Sequence, residues 1–247
     1  MRVRDLGAIA LDMLYPPVCI ACGAETGSVG GFCPDCFRDA PFISPPVCDR
    51  CGAPVLGEGV IEDCDACLHA PPAWTQGRAA ALYGGAVRRA ILALKHGDRL
   101  DVARAAAPWL LRAGRGLLAE ADLVAPVPLH WRRLLRRRFN QSAELVRAAL
   151  ALADRRDAAA YDLLRRTRAT PSQEGRTRAA RIANVAGAFG VSRRWRGRVE
   201  GARVLLIDDV MTTGATLSAC AEALYDHGAA RVDVLVLARV ARDDASA

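Results

Sequence analysis

The chain of 247 residues has no apolar run of about eighteen uncharged residues, the length a membrane-spanning helix needs. Membrane insertion is therefore not expected. Its first fourteen residues carry Arg2 and Arg4, but Asp5 and Asp12 break up the apolar positions. That pattern is too weak for a secretory signal. It reads instead as a short amphipathic helix, and a cytoplasmic location is expected. Lysine is almost missing: Lys95 is the single one, and the other cationic side chains, of 34 in all, are arginine. The formal net charge of +7 is compatible with a polyanionic partner, either a nucleic acid or a diphosphate. Heavy use of Arg and Ala points to a GC-rich bacterial genome.

Cysteine is abundant, with nine in the chain. Eight form four C-x-x-C pairs: Cys19/Cys22, Cys33/Cys36, Cys48/Cys51 and Cys64/Cys67. Ten residues separate the first two pairs and twelve the last two, as in an internal duplication. One tight turn can present two thiolates to one metal, and two such turns complete the tetrahedral sulfur set that Zn²⁺ prefers. Gly23 and Gly52 follow the second cysteine of two pairs, where a turn favours positive φ. Two structural Zn²⁺ sites are the favoured reading. Iron–sulfur clusters and disulfides are the alternatives, the latter disfavoured without a secretory signal. Sequential grouping closes the smaller loops, whereas a cross-braced grouping would mix the halves. Four thiolates leave no open position, so the sites read as structural rather than catalytic. His69 reads as a surface residue and Cys220 as a packed small hydrophobe.

After Pro71-Pro72 the pattern changes to alternating strands and helices, which predicts a parallel sheet. Strands are expected at 78–83, 123–127, 203–207 and 231–238. Helices are expected at 86–94, 101–111, 141–152, 176–184 and 216–227. The most informative stretch runs from Val204 to Leu217. Val204 to Ile207 is apolar throughout, as in a parallel strand buried on both faces. Asp208 and Asp209 follow at its C-terminal end, where open α/β sheets bind ligands. Next come Met211, Thr212, Thr213, Gly214, Ala215 and Thr216, a hydroxyl-rich loop with one glycine, opening a helix. Free N–H groups at a helix start suit a phosphate. Two acids for vicinal hydroxyls followed by a phosphate cradle suit a sugar phosphate. The stretch resembles the phosphoribosyl-diphosphate (PRPP) signature of type I phosphoribosyltransferases.

Further segments carry a resemblance to one family. They are Leu94-Lys95-His96-Gly97-Asp98, Pro126-Val127-Pro128-Leu129-His130, Arg137-Arg138-Phe139-Asn140-Gln141-Ser142, and Thr170-Pro171-Ser172-Gln173 running on to Asn184 and Ala188-Phe189. With the cysteine pairs, the chain resembles ComF-family proteins, among them the GntX-like proteins, over roughly Cys19 to Arg239. The resemblance implies a double zinc-ribbon module, with an N-terminal helix, over residues 1–70. It implies a type I phosphoribosyltransferase-like domain over 74–242, an α/β fold with helices on both faces of a parallel sheet. It also implies site roles. Asp208 and Asp209 would bind ribose hydroxyls, and Met211 to Thr216 would wrap the 5′-phosphate. Val127 and Pro128 would lie at the pyrophosphate position. The stretch from Thr170 to Asn184 would form a hood, with Arg178 or Arg181 available to the diphosphate. Two departures are present: Arg138 stands where the family usually has glycine, and Arg176 where it usually has leucine.

The activity implied is phosphoribosyl transfer from PRPP to an acceptor, with Mg²⁺ neutralising the diphosphate. Catalysis would be positioning and electrostatics, without a protein nucleophile. Lys95 and Arg137 are the candidate cations for pyrophosphate, alongside the hood arginines. The chain begins Met1-Arg2-Val3, with no cysteine to release ammonia from glutamine, so amidotransferase activity is not expected. A second reading is a DNA-handling accessory in natural competence, binding single-stranded DNA or competence machinery such as a helicase. Arg132, Arg133, Arg136, Arg137 and Arg138 with Trp131 and Phe139 would suit backbone contact and base stacking. A third is a PRPP-binding regulator without catalysis.

Overall fold

The computed structural model describes residues 17–26, 30–57, 61–96, 99–129, 139–168 and 178–241. The expected N-terminal helix, the arginine cluster 132–138 including Arg137, and residues 170–177 of the expected hood lie outside the described residues. So do the side chains of Arg178 and Arg181.

Two short helices each follow a cysteine at their N-cap: α1 (Pro34–Arg38) after Cys33 and α2 (Asp65–His69) after Cys64. The alternating region then gives β1 (Gln76–Leu82), α3 (Gly85–His96), α4 (Leu100–Glu120), β2 (Leu123–Pro126) and α5 (Gln141–Leu152). It continues with β3 (Leu164–Arg166), α6 (Arg178–Val185), β4 (Phe189–Val191), α7 (Arg196–Val199), β5 (Arg203–Met211), α8 (Ala215–Tyr225) and β6 (Arg231–Arg239). Four strands pair in the order β1-β6-β5-β2, all parallel, while β3 and β4 form a separate antiparallel pair.

The continuous apolar runs of β5 and β6 are explained by burial on both faces. Val204, Leu206, Val232, Val234 and Val236 pack on one side with Leu217, Cys220 and Leu224 of α8, and with Phe189 and Trp195. Leu205, Ile207, Leu235 and Leu237 pack on the other with Ile91, Leu94, Leu110, Leu118, Leu145 and Leu150 of α3, α4 and α5. Helices on both faces of a parallel sheet are thus the observed architecture. Because all four strands run the same way, their C-terminal ends share one edge of the sheet.

Several boundaries differ from the sequence expectation. Strand β5 does not stop at Ile207; it runs to Met211, with Asp208 and Val210 in register with Val236 and Ala238 of β6. The two acids are therefore the sixth and seventh residues of a nine-residue strand, inside it rather than past its end. Helix α4 spans 21 residues instead of ending at 111. Pro108 lies inside it, and Gly114 breaks helical geometry at φ −121°. That break is set by packing: a Cβ on Gly114 would stand 2.7 Å from a methyl of Leu235. The antiparallel pair β3–β4 and the short α7 are additions.

The cysteine-rich segment covers the free edge of β1. Ile43 N–H donates to Ala80 O at 3.0 Å and Leu82 N–H to Pro41 O at 2.9 Å. This pairs an edge that would otherwise be open to another chain. Phe42 also meets Trp109 of α4 edge-on at 5.2 Å, and Trp109 lies 4.8 Å from Phe32.

Candidate functional site

The site begins with the end of β5. Asp208 Oδ1 accepts a hydrogen bond from Ser142 Oγ at 2.8 Å and another from Asp209 N at 2.9 Å. Asp209 Oδ2 lies 3.0 Å from Lys95 Nζ. Burial, then the adjacent Asp209 charge, pushes the Asp208 carboxyl up to about 7, with Ser142 opposing the shift. Two acids are held at one strand end by an ammonium from α3 and a hydroxyl from α5.

Ser142 reaches Asp208 because Asn140 fixes the start of α5. Its side-chain oxygen accepts from Ser142 N at 3.0 Å, a standard N-cap. Its Nδ2 donates to Val127 O at 3.1 Å. Val127 N in turn donates to Ile207 O at 3.0 Å. Val127 and Pro128 therefore sit just past the end of β2, beside the end of β5. The Phe139-Asn140-Gln141-Ser142 stretch was legible as a motif, but Ser142 was not assigned to Asp208. Only the fold brings residues so distant in sequence together.

The loop from Met211 to Ala215 turns β5 into α8. Gly214 has φ +79°, a left-handed conformation favouring glycine, and serves as the N-cap. Thr213 Oγ1 accepts from Ala215 N at 3.4 Å. Thr212 is exposed, Thr213 and Thr216 are half-buried, and Met211 is buried. The first turn of α8 contains no acidic residue, so no carboxylate there offsets the positive end of its dipole.

The cysteines form two clusters, Cys19/Cys22/Cys33/Cys36 and Cys48/Cys51/Cys64/Cys67, each with its sulfurs within 4.8 Å of one another. All are free thiols. Four sulfurs about 2.3 Å from a central Zn²⁺ stand about 3.8 Å apart along each tetrahedral edge. The sulfurs of Cys22 and Cys33 are 3.7 Å apart, those of Cys51 and Cys64 3.8 Å, and those of Cys48 and Cys67 4.0 Å. The spacing fits a four-sulfur metal site and is far too wide for disulfides. Grouping is sequential rather than crossed.

Each cluster touches an arginine from the sheet region. Arg89 Nη2 of α3 lies 3.5 Å from Cys36 Sγ. Arg239 Nη1 of β6 donates to Cys51 O at 2.7 Å and lies 3.0 Å from Cys51 Sγ. The adjacent Cys67 thiol, aided by the Arg239 guanidinium, holds the Cys51 thiol down at about 4. Arg239 is 2% exposed, and the reason for a buried arginine on a central strand is this contact. His69 is exposed and bonds to Asp65 O, away from the ligand sets. Cys220 is fully buried.

With the geometry in place, the comparisons with known proteins align. Residues 10–68 match the double zinc ribbon domain family and residues 143–245 the phosphoribosyl transferase domain family. The chain thus has the composition of a zinc-ribbon protein joined to a phosphoribosyltransferase-type sheet. The DNA utilization protein YhgH of Escherichia coli O6:H1 (strain CFT073) is 36% identical over 183 residues, which cover 71% of this chain and 77% of that protein. Competence protein F of Haemophilus influenzae is 27% identical over 183 residues, 72% of this chain and 79% of that one. This chain belongs to the ComF family. Among solved structures, the glutamine PRPP amidotransferase from B. subtilis overlays with a TM-score of 0.34 at 26% identity, covering 58% of this chain and 30% of that one. Among the described residues no helix is long and apolar enough to cross a membrane.

Proposed function

We propose that the protein binds PRPP with Mg²⁺ at the C-terminal edge of the sheet and transfers its phosphoribosyl group to an acceptor, releasing pyrophosphate. The observation that carries this reading is the Asp208-Asp209 pair near the C-terminal end of β5, followed within five residues by a glycine-capped helix start with no acid in its first turn. The carboxylates accept hydrogen bonds from ribose hydroxyls. The loop from Met211 to Thr216, with the N–H groups of α8, receives the 5′-phosphate. Val127 and Pro128 flank the diphosphate, and Lys95 supplies it with a flexible cation. Arg137, Arg178 and Arg181 are further cations for that group. Mg²⁺ bound with the substrate supplies neutralising charge to the leaving diphosphate, and oxygen donors such as these acids suit it. The protein's own work is orientation and electrostatic complementarity to charge on the leaving group.

The cysteine clusters hold one Zn²⁺ each in this reading. Their spacing and all-sulfur donor set support it, and so does the match to a double zinc ribbon family. Four ligands leave no open position, so the ions serve the fold. The module 1–70 then acts as a metal-stapled cover on the domain 74–242.

The printed names of the relatives, DNA utilization and competence, favour a biological setting in DNA uptake or use. A direct DNA-handling role is the second reading. Two titrations separate the two: Mg²⁺ and PRPP into the zinc-loaded protein with pyrophosphate release followed, and single-stranded DNA at two salt concentrations. Pyrophosphate release on adding an acceptor supports the transferase. Tight PRPP binding without release points to a regulator. A steep salt dependence for DNA with no PRPP binding supports the second reading.

A further inference from the structure

Trp74 lies between two parts of the molecule that carry different chemistry. It follows α2 and precedes β1, and it is 2% exposed. Its indole Nε1–H donates to Arg50 O at 2.7 Å. Arg50 is inside the turn that joins Cys48 to Cys51, so this bond grips the backbone of one cysteine turn of the second cluster. The Arg50 guanidinium reaches Asp63 at 3.1 and 3.4 Å, and Asp63 directly precedes Cys64. Both cysteine turns of that cluster are thereby tied to the residue on which Trp74 hangs.

The far end of the indole meets the phosphate loop. A Cβ on Gly214 would stand 2.6 Å from Trp74 Cη2 and 3.3 Å from Cζ3. Met211 and Ala215, at either end of the loop, belong to the same apolar cluster as Trp74. One rigid ring system therefore spans from a metal-cluster backbone to the residue whose left-handed φ shapes the loop. A flexible side chain of similar volume could fill the space but could not transmit a position.

We propose that Trp74 is a positioning residue that couples the metal-loaded second cluster to the conformation of the phosphate loop. With Cys48, Cys51, Cys64 and Cys67 holding their ion, Arg50 O is fixed and the indole stands at one height. Gly214 rests on it, and Met211 to Ala215 take the shape that receives a phosphate. When the ion leaves, the carbonyl anchor is released and the loop loses its floor. The first cluster makes its sheet-side contacts elsewhere, through Arg89, Phe32 and Phe42, and has no such control. The proposal rests on the phosphoribosyl reading for the identity of the ligand. The coupling itself is a property of the fold.

Linkage makes the coupling reciprocal: a ligand that favours the ordered loop must also favour the loaded cluster. The test uses full-length zinc-loaded protein and Trp74→Phe, which keeps a ring but removes the indole N–H. Zinc content and melting temperature are recorded first. Amide exchange of residues 211–215 is then measured without ligand, and the Kd for Mg²⁺ and PRPP by calorimetry. Zinc transfer to a chromophoric chelator is followed with and without PRPP. The expected result is a variant that keeps both ions, with loop exchange and Kd each raised about tenfold, the effect of losing one good hydrogen bond. PRPP should slow the loss of one of the two ions in the wild type and of neither in the variant. Wild-type loop exchange and Kd in Trp74→Phe would overturn the proposal. If Trp74→Phe fails to fold or loads no zinc, the wild type alone decides: equal zinc loss with and without bound PRPP overturns the coupling. Absence of PRPP binding by the wild type is the failure of the phosphoribosyl reading instead, and loop exchange in the variant still tests the coupling.

Discussion

The ammonium of Lys95 lies 3.0 Å from the carboxylate of Asp209, joining the last turn of α3 to the end of β5. Lys95 is the only lysine in the chain. Both side chains are mostly buried, at 20% and 15% exposure, but still reach solvent. A lysine suits this place because a flexible point charge can turn from one anion to another, as a planar guanidinium cannot. Without ligand it balances Asp209, and under the proposed function an arriving diphosphate would offer it a second partner.

Lys95→Met should therefore weaken binding of Mg²⁺ and PRPP by about tenfold or more, the worth of one charge-assisted contact. Stability should also fall, by about 1–3 kcal/mol, because a mostly buried Asp209 loses its cation. Calorimetry and thermal melting measure the two effects. A variant that binds as tightly as wild type removes Lys95 from the site.

Asp208 predicts a pH dependence of stability. Its carboxyl is raised from an ordinary 3.8 to about 7, chiefly by burial. Between those values the folded state holds a proton that the unfolded state has released. Stability must then fall as pH rises through that window and level off above it. Asp208→Asn cannot ionise and can still accept from Ser142. Its melting temperature should lose less than wild type between about pH 5 and about pH 8, and should exceed wild type at the higher pH. Parallel pH profiles for the two proteins would show that the carboxyl is not raised.

Arg239 is the buried counter-charge of the second cluster. Arg239→Met leaves Cys51 without its cation and its carbonyl without a donor. The variant should lose about 3 kcal/mol in chemical denaturation, as when one partner of a buried pair is removed. It should release one zinc ion to a chelator faster than wild type and the other at the wild-type rate. Equal acceleration of both ions would show that the arginine acts on the whole fold rather than on one cluster.

Gly214→Ala places a side chain at φ +79° and against the Trp74 ring. Strain and overlap should cost about 1–3 kcal/mol and displace the phosphate loop. PRPP affinity should fall by more than the melting temperature suggests, because in the proposed function the loop would be the ligand's own seat. Unchanged affinity would mean that the loop does not hold the phosphate.

Much of the architecture was legible because its signals are local. The apolar runs of β5 and β6 read as strands buried on both faces, and α5 was expected at 141–152 and is found there. The cysteine spacing was enough to suggest two groups of four. What the pattern hid was decided by distant contacts. A helix was expected to end at 111, yet α4 runs on to Glu120 with a kink at Gly114, where a side chain would strike Leu235. Asp208 and Asp209 were read as following a strand that ends at Ile207, yet β6 extends far enough to pair β5 as far as Met211. Ser142, Trp74 and Arg239 carry no periodic or motif signal for their roles. Each acquires its partner only when the sheet orders itself as β1-β6-β5-β2 and the cysteine module settles on its edge.

The most direct test of the central claim is calorimetry of Mg²⁺ and PRPP against the zinc-loaded protein, beside the double variant Asp208→Asn with Asp209→Asn. The account predicts saturable binding of one PRPP per chain, lost in the double variant while its fold and zinc content are kept. No binding by the folded wild type, or equal binding by both proteins, would contradict it.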